Sequence, residues 1–156
     1  DGNDYWVWER IEAVYPVIVI VEYNSLFGPD RAVSVPYDPQ FQRTRAHSTN
    51  LYWGCSLGAL CHLAERKGYA FVGSNGAGNN AFFVRRDRHG DLPALTVSAG
   101  WVASRFRESR DAQGALTFLS GADRLRPIAH LPLVDVQTGT SLSVRDLATA
   151  GCLDVR

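Results

Sequence analysis

Methionine is absent from this chain, and Lys67 is its only lysine. Arginine carries almost all of the positive charge, a bias that reads as genomic base composition rather than chemistry. Neither sign of charge is in surplus: Lys+Arg 16 balance Asp+Glu 16 at a formal net charge of zero. Dedicated nucleic-acid binders and binders of anionic membranes carry a basic excess, so neither class is expected. No apolar run approaches the roughly 20 residues of a membrane-spanning helix, and the expected location is cytoplasmic. Cysteine is scarce. Cys55, Cys61 and Cys152 are odd in number and lack ligand spacing, as small buried side chains of a reducing compartment would be. His47, His62, His89 and His130 are scattered, so no metal site is expected. There is no internal repeat and no low-complexity tract. A chain opening on Asp1 without methionine reads as a piece of a longer reading frame.

What is present suffices for one globular domain, with 46% hydrophobic and 21% charged residues. The densest apolar stretch is PVIVIVEYN, residues 16–24. Its unbroken β-branched run, Val17 to Val21, predicts a strand covered on both faces, as in a parallel sheet flanked by helices. Ligands of α/β sheets sit at the carboxyl ends of such strands. Here that end carries Glu22, Tyr23 and Asn24 in succession.

Residues 5–14 have helical spacing (Tyr5, Trp8, Ile11, Glu12), with Asn3 or Asp4 as the cap. Residues 25–50, rich in Pro and Arg, form a long connection with a strand-like run at 32–36. Its aromatic residues predict that it packs. Residues 56–67 give the clearest helix, closed by Gly68. YAFVG (69–73) and AFFVR (81–85) flank SNGAGNN and predict an antiparallel hairpin at the sheet edge. SNGAGNN has no Lys–Ser/Thr and opens no helix, so it reads as a turn rather than a phosphate loop. Gly54–Cys55–Ser56–Leu57–Gly58 fits the G-x-S-x-G pattern of a serine hydrolase. Ser56 as a helix cap is the simpler reading. Further on, a helix over 99–110, an edge strand over 131–136 and a short helix over 144–150 are expected. Residues 92–156 read as a loosely packed extension.

The acidic residues form the stronger signal. Asp1 and Asp4 precede the first helix, and Glu22 ends the buried strand. A preceding strand that ended at Asp1, parallel to residues 17–21, would bring all three to one edge of the sheet, beside Asn3, Tyr23 and Asn24.

In this order the motifs resemble the second half of FkbM-like methyltransferases, members of the class I S-adenosylmethionine-dependent enzymes. Asp1, Gly2 and Asp4 match the end of that family's acidic turn. Glu22 matches the end of its fifth strand, Gly68–Tyr69 its Gly-Tyr, and residues 69–73 and 81–85 its closing strand pair. The resemblance covers about residues 1–87.

It implies the C-terminal part of a Rossmann-like sheet (parallel strand, helix, antiparallel edge hairpin) over 1–87, and an irregular extension over 88–156. It further implies S-adenosylmethionine as cofactor, its Gly-rich loop outside this chain, and a sugar or other small hydroxylated acceptor as the partner. Glu22, Asp4 or Asp1 would act as base, with Asn3, Tyr23 and Asn24 holding the acceptor. The fragment alone would then be inactive. The alternative from another class is a non-catalytic α/β binding or interaction module without cofactor.

Overall fold

A computed structural model of the protein describes residues 2–148; Asp1 and Cys152 lie outside the described residues. Helix α1 (Asp4–Arg10) buries Tyr5 and Trp8 and stops earlier than its spacing predicts, because Ile11 turns extended at ψ 113. Its last carbonyls are served from outside the helix. The Lys67 ammonium donates to Glu9 O at 3.1 Å and Ile11 O at 3.0 Å, supplying donors that a helix end lacks. Asn3 occupies the cap position without a capping bond; its Nδ2 donates instead to Asp38 O at 2.7 Å.

β1 (Ile18–Glu22) follows, then a 3₁₀ turn (Ser25–Phe27), the two-residue strand β2 (Val33–Ser34) and the short helix α2 (Arg43–Ala46). Helix α3 (Leu57–Arg66) has the expected course. Ser56 Oγ accepts from Ala59 N, and the apolar face places Leu57, Leu60, Leu63 and Ala64 inside. Gly68, at φ +79, lets the chain turn directly into β3 (Tyr69–Ser74). The SNGAGNN turn then leads to β4 (Asn80–Arg85). Beyond lie α4 (Val97–Gly100), a 3₁₀ segment (Gly121–Ile128), β5 (Pro132–Asp135), β6 (Ser141–Ser143) and α5 (Arg145–Ala148).

The class is mixed α/β, but every strand pairing among the described residues is antiparallel. The first sheet has the order β1-β4-β3. β1 and β3 both oppose β4, so they run in the same direction with β4 between them. α1 and α3 cover the face bearing Val21, Phe71 and Phe83, and Trp8 packs against Tyr69 and Phe83. Each fully buried large side chain here, Phe83 and Leu60 among them, stabilises by about 1.5–3 kcal/mol.

The expectation that β1 is covered on both faces is corrected. Val21 is buried, whereas Ile18 and Ile20 are each 59% exposed. The uniform apolar run had suggested two covered faces. Among the described residues only the inner one has a helix layer, and β1 lies at the edge of its sheet instead of inside it.

The second sheet has the order β2-β5-β6. β5 is therefore central, not the expected edge strand, pairing Val33 with Asp135 on one side and Leu133 with Leu142 on the other. Its core joins Leu26, Phe27, Val33 and Tyr52 to Leu125, Ile128, Leu133 and Leu147. Residues after 92 thus help build a core with residues 26–52. The helix expected over 99–110 shrinks to α4. Residues 102–110 obtain partners from remote groups instead of from an i→i−4 ladder. Tyr23 bonds Val102, Ser25 bonds the Ser104 amide, and Arg124 bonds the Ser104 and Phe106 carbonyls.

Candidate functional site

The start of α1 and the end of β1 meet at Cys55. The Asn24 amide donates to Cys55 O at 2.7 Å. Burial pushes the Cys55 thiol well above its usual pKa; the Asp4 charge adds to this and the Tyr5 backbone N–H opposes it. Asp4 and Asn24 therefore flank one buried residue from two elements. Asn3 and Asp4 also line a groove of about 360 Å³ between α1 and residues 19–21 of β1. Asp1, the third acidic residue of the expected set, lies outside the described residues.

Glu22 is exposed at the end of β1, opposite Asn80. Its charge bears on Arg43, as does that of Glu108; both counter the burial that lowers the Arg43 pKa. Arg43 is held by two further contacts. Its Nε donates to Asn50 O at 2.7 Å, and its guanidinium lies 4.7 Å over the Trp53 ring. Arg43 lines a cavity of about 310 Å³ together with Asn24, Trp53, Ser104, Glu108 and Arg124, among others; Glu22 is not on that lining, and its charge reaches the cavity through Arg43.

Tyr23 and Asn24 do not present free polar groups to that cavity. The Tyr23 hydroxyl donates to Val102 O at 2.9 Å and accepts from Val102 N at 3.2 Å. Asn24 Nδ2 donates to Leu51 O and Trp53 O, both at 3.0 Å, while Oδ1 accepts from Leu26 N at 3.1 Å. Both side chains hold cavity walls in place: Tyr23 the segment leading to Ser104, Asn24 the strip from Leu51 to Trp53.

The other motifs have structural roles. Ser56 Oγ donates to Arg31 O and accepts from Val33 N and Ala59 N, in a residue with no exposure. That leaves it neither access nor a base, so it serves as the helix cap. SNGAGNN is a hairpin turn in which Asn75 Oδ1 accepts from the Asn79 and Asn80 amides. Cys61, pushed up to about 12 by burial, is unreactive as a nucleophile at neutral pH. Among the described residues no His, Cys, Asp or Glu side chains gather as a metal site.

Reading the sequence missed Arg43, Glu108 and Arg124. The cue in the sequence for Arg124 was an arginine amid Leu125, Pro127 and Ile128; nothing local marked Arg43 or Glu108. Comparison with family models, curated proteins and solved structures gives no match to this chain.

Proposed function

We propose that the chain supplies the acceptor side of a class I S-adenosylmethionine-dependent methyltransferase that O-methylates a sugar or another small hydroxylated acceptor. The observation that carries this reading is the arrangement of β1, α3, β3 and β4, with β2 and α2 intervening between β1 and α3 along the chain. A strand leads through a helix to a second strand of the same direction, and the antiparallel β4 closes the hairpin between them. That is the order of elements the family resemblance implies for its last strands, and the acidic start of α1 meets the end of β1 at Cys55.

The described residues do not fit the cofactor itself. Their glycine-rich stretch joins two strands as a hairpin and presents no helix N-terminus to a nucleotide. This chain's part is thus confined to the acceptor. Glu22, exposed at the strand end, takes the acceptor hydroxyl proton as general base. Asp4 and Asn3 line the groove along residues 19–21, and Asp1 is the further acid that the resemblance implies. Tyr23 and Asn24 fix the walls, and positioning supplies much of the rate in an in-line displacement.

The test is titration of the protein from the complete reading frame with S-adenosylmethionine, followed by turnover of hydroxylated acceptors. Saturable binding is expected, with Glu22→Gln lowering kcat at least 100-fold while leaving cofactor affinity intact. Absence of binding, or unaltered turnover in both Glu22→Gln and Asp4→Asn, overturns the reading. A second reading, a non-catalytic α/β binding module, is favoured by one observation: the Tyr23 and Asn24 side chains are spent on internal hydrogen bonds. It is the reading left standing if cofactor binding fails.

A further inference from the structure

Arg124 is an unusual residue to find inside this molecule. It is 7% exposed, and all its partners are neutral. Nε donates to Gly121 O at 3.4 Å, Nη1 to Ser104 Oγ at 3.1 Å and Phe106 O at 3.3 Å, and Nη2 to Ser104 O at 2.9 Å. These use four of the five guanidinium N–H groups. No carboxylate among the described residues pairs with it, and burial lowers its pKa. A buried cation without a counter-charge is costly.

Arg124 lines the 310 Å³ cavity together with Arg43 and the exposed Arg110; among the described residues, Glu108 is the only acidic side chain on that wall. Glu22 stands nearby, acting on Arg43. Among the described lining residues arginines thus outnumber acids, three to one, in a chain whose overall charge is zero. Its apolar part is Trp53, under the Arg43 guanidinium, and the 42%-exposed Phe106. The volume suits a small molecule, and a few convergent polar groups in an apolar-walled pocket are the usual form of such sites.

We propose that this cavity binds a small organic molecule through an oxyanion group, a carboxylate or a phosphate, set between Arg43 and Arg124 with its body against Trp53 and Phe106. Arg124 keeps one N–H beyond its four internal bonds, and a charged N–H donor suits either oxyanion. The ligand supplies the negative charge that Arg124 lacks. The inference goes beyond the methyl-transfer reading and does not depend on it, because it rests on the cavity wall alone.

Isothermal titration of the full chain with inorganic phosphate, benzoate and the neutral analogue benzamide tests it. Saturable binding of phosphate or benzoate is expected, at least 10-fold tighter than benzamide and weakened by added salt. The tighter of the two anions tells a phosphorylated ligand from a carboxylic acid. Arg43→Gln should weaken binding about 10-fold. Glu108→Gln, an exposed change that does not threaten folding, should strengthen it several-fold. Arg124→Lys keeps the charge but not the guanidinium's set of internal bonds, and should fall between wild type and Arg43→Gln. No saturable anion binding by the folded chain, or equal affinity for benzamide, overturns the proposal. So does an affinity unmoved by both Arg43→Gln and Glu108→Gln. Failure of S-adenosylmethionine binding leaves it standing, and its own failure leaves methyl transfer standing.

Discussion

At the scale of single residues, the polar cluster after β1 separates into one accessible carboxylate and two structural side chains. The residue types at 22–24 were legible in the sequence; their partners were not. Tyr23 reaches Val102 and Asn24 reaches Leu51 and Trp53, across separations that no local pattern encodes. Tyr23→Phe should therefore act mainly on stability. It strands the Val102 carbonyl and amide, at a cost of about 1–2 kcal/mol, measurable by urea denaturation. An acceptor-orienting role would instead lower activity without moving the denaturation midpoint.

Two other phenols report on the two cores. Burial pushes Tyr5 and Tyr52 each up to about 12, with the Glu9 carboxylate adding to the effect on Tyr5. A folded-state pKa above the unfolded value favours the protonated phenol in the native state. The associated stability is fully present below pH 10 and is lost as pH rises through about 12. Near-ultraviolet titration of tyrosinate should show these phenols ionising together with unfolding, not before it. Their ionisation in a chain that keeps its native circular dichroism would contradict this.

Among the elements, those with local signals were the ones the sequence disclosed. Helix α3 announces itself through the Ser56 cap, an apolar stripe and Gly68; the β3–β4 hairpin does so through its Gly/Asn turn. The second sheet carried no such signal. β2 is two residues long, and its partner β5 lies about a hundred residues away behind Pro132, which suggested an edge. Segment 101–110 has the apolar spacing of a helix, yet Tyr23, Ser25 and Arg124 claim its backbone groups. Gly78 shows how tightly that segment is seated. It sits at φ +72, and a Cβ there would come within 2.5 Å of Val102 O and 2.7 Å of Ser104 N. The glycine that looked like turn chemistry is also the floor under one wall of the cavity. As for the candidate site, the sequence exposed its acidic half, because acids before a helix and after a strand are visible locally. The arginine half stayed hidden because loops assemble it.

For the molecule as a whole, the dominant surface feature is the outer face and open edge of β1. Val14, Tyr15, Val17, Ile18 and Ile20 are all at least 45% exposed, and among the described residues β1 pairs on one side alone. Flat, apolar, unpaired edges drive association. The isolated chain should sediment as oligomers, and Ile18→Lys with Ile20→Lys should shift it toward monomer. Both sites are solvent-facing, so the change in folding free energy should stay within about 0.5 kcal/mol. Wild-type chain that sediments as a monomer up to high concentration would contradict this.

The central place of β4 also sets a timetable for synthesis. β1 leaves the ribosome first, but its register partner for Glu22 is Asn80, about 60 residues later, a delay of several seconds at roughly 5–20 residues per second. Throughout that interval β1 has no strand among the described residues to pair with. A synonymous codon change that slows elongation between residues 23 and 80 should therefore lower the soluble yield without altering one amino acid.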